Sequence, residues 1–217
     1  MQIQKGIELI KKVRAFLDSC PKYPDNLKDT LQDSWNKLCN QYGITDVPLI
    51  FTTCENFVED EARRLASLNI TTAATSNVVG LGNYAKPSMI TGSNIGFENG
   101  HVKVTILGVF LFEDAILPRF YEQKLNYNKL AGVETIMRHE IGHVLSFRSK
   151  FEGLSVADYK DLKAWINKEN SRIHELWDED PCNRTMLSYY QLPLERWAND
   201  AVNIDDHDLI KAKMSLK

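Results

Sequence analysis

Cysteine is scarce in this 217-residue chain, and its four cysteines are widely spaced. Cys20, Cys39, Cys54 and Cys182 form no CxxC pair, and this spacing argues against a zinc ribbon or finger. The distribution is typical of free, buried thiols, although a disulfide between Cys20 and Cys39 stays open. It predicts a reducing compartment, and we therefore expect a cytoplasmic protein.

Long apolar runs are also absent from the sequence. No stretch approaches the roughly 20 apolar residues of a membrane span. Lysine and arginine interrupt residues 1–20, so the apolar core of a secretory signal is lacking there, although a mature chain that had lost its signal would look the same. A net charge of -3 and a pI near 6.0 provide no basic field for nucleic acid or anionic lipid. The sequence predicts neither a nucleic-acid nor a membrane partner.

The composition is that of an ordinary folded protein. Apolar residues make up 43% and charged residues 25% of the chain, which excludes wholesale disorder. The length fits one domain at roughly 100 to 200 residues per domain, and the chain has no internal repeat. We therefore expect a single domain over residues 1–217. Nothing in the sequence indicates its oligomeric state.

Hydrophobic periodicity divides this domain into three parts. Residues 1–70 are predicted to be mainly helical, residues 71–147 to hold a sheet and a long helix, and residues 148–217 to be helical. Six helices are predicted: one over 7–17, a second that ends at about Tyr42, a third over 55–68, a fourth from near Leu130 to Phe147, a fifth over 156–176 and a sixth that begins at Pro193. Two strands are predicted, at 48–53 and 101–112.

The strand at 101–112 has two different halves. It alternates apolar and polar residues up to Leu107 and is fully apolar from Gly108, which predicts an edge at one end and a buried strand at the other. Asn99-Gly100 precedes it and favours a hairpin turn, because both residues readily take positive φ. A second strand should therefore precede the turn.

The long helix carries the sequence His139-Glu140-Ile141-Gly142-His143. Residues four apart lie on one face of a helix, so His139 and His143 can bind the same metal ion. Glu140 lies beside that face, where its carboxylate can take a proton from a zinc-bound water as general base. Gly142 lowers the helix propensity by about 1 kcal/mol, which close approach by another backbone would explain.

Apolar residues surround this helix and predict that it is mostly buried. Two histidines and a glutamate inside a buried helix need partners, and a metal ion supplies them all. The alternative is a helix whose histidines form hydrogen bonds in the core, with Glu140 paired to Arg138 or solvent. The apolar positions are Val133, Ile136, Met137, Ile141, Val144, Leu145 and Phe147.

The motif resembles the zinc-binding helix of the zincin metallopeptidases. Metzincins are excluded, because Ser146 and Ser149 stand where that family has a glycine and the third histidine. Pro193, Glu195 and Ala198 instead resemble the second helix of the gluzincins. The resemblance covers about a tenth of the chain, and it implies an α+β, zincin-like fold with a small mixed or antiparallel sheet, an HExxH helix and a mostly helical C-terminal part.

The gluzincin resemblance also implies the third ligand of a single zinc ion, Glu195. Asn199 or Asp200 would orient a ligand imidazole. A plain helix start at Pro193 would explain Glu195 as well, since a carboxylate there favours the helix dipole. Rival ligands, each with an ordinary explanation as a cap or solvated charge, are Asp205, Asp206, His207, Glu152 and His174.

The resemblance implies a zinc metallopeptidase that hydrolyses peptide bonds of a peptide or protein substrate. The oxyanion would need a second donor, for which Tyr190, Tyr189 and His174 are candidates. The substrate would add as a strand to the sheet edge, predicted at residues 101–107. A catalytically silent metal-binding or regulatory protein is the alternative function. A protease that cleaves one partner protein is a third.

Overall fold

The computed structural model describes residues 27–53, 56–57, 88–116, 127–180, 182 and 185–216, which form a mixed sheet packed against helices. The helices are α1 (Leu27–Gln41), α2 (Tyr127–Phe151), α3 (Val156–Glu179), α4 (Met186–Tyr189), α5 (Pro193–Val202) and α6 (Asp206–Ser215), and the strands are β1 (Leu49–Thr52), β2 (Met89–Glu98) and β3 (His101–Phe112).

The sheet has three strands among the described residues, in the order β1-β3-β2. β1 is parallel to β3, and β2 is antiparallel to β3. The expected small mixed sheet is therefore confirmed. Because β1 belongs to residues 1–70, the part that we predict to be mainly helical also contributes a strand to the sheet.

The hairpin turn and the two halves of β3 are confirmed. Asn99 and Gly100 have φ values of 53° and 80°, as a two-residue hairpin turn requires. β3 pairs with β1 only from Val109 onward, where Val109, Leu111 and Phe112 are buried. The half before Gly108 is mostly exposed or half-buried. The strand thus passes from one edge of the sheet into the core.

Helix α2 lies at the centre of the fold. Its apolar side chains pack with α1, the sheet, α5 and α6 in one core. The predicted burial is confirmed, and the helix is longer than predicted at both ends. Five of its apolar residues are at most 1% exposed: Val133, Ile136, Met137, Ile141 and Val144.

Glycines on α2 allow α5 and α6 to approach closely. A Cβ added at Gly142 would lie 2.0 Å from the carbonyl oxygen of Ala198 on α5. A Cβ at Gly132 would lie 2.5 Å from Ser215 Oγ and 3.2 Å from the carbonyl oxygen of Ala212 on α6. The predicted backbone approach at Gly142 is confirmed, and it brings α5 against the motif.

The C-terminal part is helical, as expected. Ser155 accepts a hydrogen bond from Asp158 N at the start of α3, and Asp205 accepts one from His207 N at the start of α6. Helix α5 begins at Pro193, as predicted. Among the described helices, none combines the length and the apolar character that crossing a membrane requires.

Some predictions fall on residues outside the described ranges. These are the helix over 7–17 and the helix over 55–68, except for two helical residues at 56–57. Cys20, the other half of the disulfide that the sequence left open, lies outside the described ranges as well. Cys39 is a free, buried thiol, but Cys182 is free and exposed, so the expectation of buried thiols is wrong for Cys182.

Candidate metal centre

Three side chains from two helices converge on one point. His139 and His143 lie one turn apart on α2, and Glu195 lies in the first turn of α5. His139 Nε2 is 3.2 Å from His143 Nε2 and 3.1 Å from Glu195 Oε2, and His143 Nε2 is 3.7 Å from the same oxygen. These nitrogen and oxygen atoms therefore form a group that could hold a metal ion.

The spacing of these three atoms fits a metal of zinc's size. Ligand bonds of about 2.0 to 2.1 Å at tetrahedral angles place ligand atoms roughly 3.4 Å apart. The three observed separations span 3.1 to 3.7 Å. Three mutually facing acceptor atoms repel one another unless a cation or proton lies between them. Geometry and donor chemistry thus both fit a bound cation.

Burial and hydrogen bonding act in opposite directions on Glu195. Burial raises the pKa of its carboxyl, but hydrogen bonds with His139 and His143 outweigh that effect and hold the pKa well below its usual range. Burial lowers the pKa of His143, and its contact with Glu195 produces a net increase. Glu195 is therefore ionised, as a metal ligand must be.

A chain of hydrogen bonds fixes the orientation of His139. Asn199 Nδ2 donates to Asp206 Oδ1 over 2.7 Å. Because an ionised carboxylate only accepts, this contact assigns the amide orientation and turns Asn199 Oδ1 toward His139. Oδ1 lies 2.7 Å from His139 Nδ1 and accepts its proton. With a metal ion in place of the Nε2 proton, His139 would be neutral and would present the lone pair of Nε2 to that ion.

Asn199 and Asp200 were alternatives for orienting an imidazole, and only Asn199 contacts one. Asn199 lies one turn after Glu195 on α5, so both side chains face α2, and it is 3% exposed. Asp200 is exposed and contacts neither histidine. Asp206, considered above as a rival ligand, instead holds Asn199 in place.

Glu140 is buried, and it faces the sheet. Thr91 Oγ1, on β2, lies 2.7 Å from Glu140 Oε2 and 3.1 Å from its carbonyl oxygen. Arg138 donates instead to the carbonyl oxygen of Val202 and to the hydroxyl of Tyr42. The alternative pairing of Glu140 with Arg138 is therefore wrong, and Thr91 holds the carboxylate.

A cavity of about 340 Å³ opens onto the three ligands and Glu140. Its floor comes from α2, and residues 88–91 at the start of β2 form one wall. Phe147 and Leu194 form an apolar part of the remaining wall, and Tyr189 and Lys213 add polar groups to it.

The cavity lies beside β2, and the predicted edge at residues 101–107 is elsewhere. Val102 N donates to Leu154 O, and Gly153 N donates to Val102 O, over 2.8 and 2.9 Å. Val104 N donates to Glu152 Oε2 over 2.6 Å. The loop after α2 thus covers this half of β3, so the prediction of a free edge at residues 101–107 is wrong, and the strand beside the cavity is β2.

The two candidate tyrosines differ in position. Tyr189 lines the cavity, and its hydroxyl donates to Glu195 Oε1 over 2.9 Å. Tyr190 is fully buried, does not line the cavity, and its hydroxyl has no hydrogen-bond partner among the described residues. Burial and the Glu195 charge raise the pKa of both phenols, so both stay protonated. Position favours Tyr189 over Tyr190 as a donor to a substrate.

The other residues considered as ligands have ordinary structural roles. Asp205 caps α6, and His207 is exposed in its first turn. Glu152 binds the backbone of β3 and pairs with Lys103. His174 is exposed on α3, with its ring against Trp177. None of them reaches the group formed by the two motif histidines and Glu195.

Two residues at the site were missed from the sequence. Thr91 lies in a Gly- and Thr-rich strand and carries no motif. Lys213 does carry a signal, because it follows Leu209 by one helical turn and so lies beside the buried face formed by Leu209, Ala212 and Leu216. Because burial of a charged group is costly, a lysine beside the apolar face of a helix indicates a specific role.

Comparisons with known proteins identify no relative for this chain. No family model matches the sequence, and no significant match is found among curated proteins or among solved structures. The case for a metal centre therefore rests on the geometry of His139, His143 and Glu195.

Proposed function

We propose that the protein is a zinc-dependent metallopeptidase of gluzincin type. The observation that carries the proposal is the convergence of His139, His143 and Glu195, at ligand spacing, beside the buried carboxylate of Glu140. In this proposal the three side chains hold one zinc ion. Three protein ligands leave a position for water, which is the arrangement of catalytic rather than structural zinc sites.

Glu140 is the general base of the proposed reaction. Zinc, when bound, polarises the peptide carbonyl and lowers the pKa of a water molecule. Glu140 takes a proton from the attacking water and delivers it to the leaving amine, while Thr91 keeps the carboxylate oriented toward the cavity. Tyr189, already at the cavity wall, turns its hydroxyl proton from Glu195 to the developing oxyanion and donates a hydrogen bond to it.

The outer edge of β2 is the proposed binding site for the substrate backbone. Phe112 N donates to Ser88 O, so these two residues form a hydrogen-bonded pair. The alternation of an antiparallel ladder then turns the backbone groups of Met89 and Thr91 away from β3. No strand among the described residues pairs with that edge. An extended peptide added there would pass directly over Glu140.

Replacement of Glu140 by glutamine tests the proposal. We expect Glu140→Gln to retain zinc at one ion per chain and to lose peptide hydrolysis by about 100-fold or more, since a general base contributes roughly 10²- to 10⁴-fold. Zinc is measured by elemental analysis, and hydrolysis is measured on a mixed peptide library by mass spectrometry. Glu175→Gln, an exposed change on α3, is the matched control.

The alternative function, a metal-binding regulatory protein without catalysis, makes the opposite prediction. In that case zinc binds, but the wild-type protein hydrolyses no peptide of the library, and Glu140→Gln and Glu175→Gln behave alike. Cleavage of a single protein partner would be detected by the same comparison, made on a cell extract with wild type and Glu140→Gln in parallel.

A further inference from the structure

Lys213 brings a positive charge into the wall of the metal cavity. It extends from α6. Among the described residues that line this cavity, it is the one lysine or arginine. Its Nζ lies 5.0 Å from the ring centre of Tyr190 and 5.6 Å from that of Tyr189. Because Tyr190 is fully buried, these rings hold the ammonium group at a fixed place.

No carboxylate of the described residues pairs directly with this ammonium group. Within the described residues, no acidic oxygen lies within 4.0 Å of Lys213 Nζ, whereas Lys28 is 2.8 Å from Glu113 and Lys211 is 3.8 Å from Asp208. Burial lowers the pKa of the Lys213 ammonium group, and the charges of Glu195 and Glu140 partly offset this effect by favouring its charged form. Lys213 thus has hydrogen-bond donors free to bind a group that enters the cavity.

The charges of the cavity favour an anionic occupant. Glu140 and Glu195 contribute two negative charges, which a divalent metal ion at the three ligands would balance. The charge of Lys213 is then left without compensation. A compact ammonium group, without an arginine among the residues that line the cavity, suits a single carboxylate better than a phosphate, which usually binds several donors or an arginine fork.

We propose that Lys213 determines specificity by binding a carboxylate of the substrate inside the cavity. The carboxylate is either the C-terminal carboxylate of a peptide or the side chain of an acidic residue beside the cleaved bond. This inference rests on the proposed peptidase function, and it adds that the preferred substrates carry a negative charge next to the metal. Lys213 acts on substrate binding and leaves proton transfer to Glu140.

The test measures binding without turnover. Zinc-loaded Glu140→Gln protein is titrated calorimetrically with four N-acetylated alanine peptides. One has a free C-terminal carboxylate and the second is its amide. The third is an amide with one internal glutamate, and the fourth has glutamine in that place. We expect one acidic peptide to bind roughly 10- to 100-fold tighter than its neutral partner, as a charged hydrogen bond predicts. The pair that shows this preference identifies the source of the carboxylate.

Substitution of Lys213 in the same background completes the test. Lys213→Met is expected to abolish the preference, and Lys213→Arg to keep most of it. Lys211→Met, an exposed change on the same helix, should leave it intact. If Lys213→Met does not fold, Lys213→Gln replaces it, since glutamine keeps a polar chain without the charge.

Two results would overturn the inference: no acidic peptide binds tighter than its neutral partner, or the preference survives the loss of the lysine charge. Neither result depends on catalysis. The proposed function fails separately, when zinc-loaded wild-type protein cleaves no peptide.

Discussion

Replacement of Gly142 by alanine should separate helix propensity from helix packing. In an exposed helix the change stabilises, because alanine exceeds glycine in helix propensity by about 1 kcal/mol. At this position the new Cβ would lie 2.0 Å from the carbonyl oxygen and 2.7 Å from the carbonyl carbon of Ala198. These are backbone atoms of α5, and they cannot rotate away as a side chain could.

The magnitude follows from the displacement that the new methyl group requires. To bring the contact from 2.0 Å to the 3.4 Å of ordinary van der Waals contact, α5 must withdraw from α2 by about 1.4 Å. Overpacking typically destabilises by about 1 to 3 kcal/mol, and a clash with backbone atoms belongs to the upper part of that range, about 2 to 3 kcal/mol. After the gain of about 1 kcal/mol in helix propensity, the net effect of Gly142→Ala is a loss of roughly 1 to 2 kcal/mol. Glu195 is on α5 and would move with it. We expect zinc affinity to fall by at least about 10-fold, as for other disturbances of ligand position.

Urea unfolding with a chelator present measures the stability of the metal-free protein, and competition with a chromogenic chelator measures zinc affinity. Gly132→Ala is the matched control on the same helix. Its Cβ would meet Ser215 Oγ first, a side-chain atom that can rotate, so the destabilisation should be smaller. Seven residues, or about 10 Å of helix, separate it from His139, the nearer motif histidine, so zinc affinity should not change.

The reasoning would be refuted if Gly142→Ala were as stable as the wild type or more stable, with unchanged zinc affinity. That result would mean that α5 does not rest on the backbone of α2 at the motif. The position assigned to Glu195 would then lose its physical basis.

The remaining predictions concern the second helix of the centre. Glu195→Gln should lower zinc affinity by at least about 100-fold, because an amide is a far poorer ligand than a carboxylate, with little change in the circular dichroism spectrum. Unchanged affinity would remove Glu195 from the centre. Asp206→Ala should lower zinc affinity by about 10-fold, because Asn199 loses the acceptor that fixes its amide and the His139 tautomer is no longer enforced. Asp208→Ala, an exposed change on the same helix, is its control, and equal affinities of the two variants would exclude this role for Asp206.

Local rules predicted many of the secondary-structure elements in the described residues. The turn at Asn99-Gly100, the strand near residue 50 and the helix that begins at Pro193 follow from residue types that act over a few positions. The burial of α2 followed from apolar residues on all its sides. These features depend on backbone preferences and on side-chain periodicity, both of which can be read directly from a sequence.

Contacts between distant residues were harder to predict. Whether residues 101–107 were an edge could be judged from their alternation, but the loop that covers them could not. Asp206 looked like one of five rival ligands, and only its contact with Asn199 in the structure shows its role. Thr91 has no local signal, because its role depends on the hydrogen bond between β2 and α2.

The sequence by itself determined that the two histidines of the motif share one face of a helix with the glutamate beside it. A helical repeat places residues four apart on one face whatever the rest of the chain does. It also indicated Glu195, through the resemblance of Pro193 to Ala198 to a known helix. The tertiary structure alone decided that Glu195 meets the histidines, since that contact depends on the close approach of Gly142 and Ala198. It alone brought Thr91 and Lys213 to the same cavity, because strand pairing and helix packing act between residues that are distant in sequence.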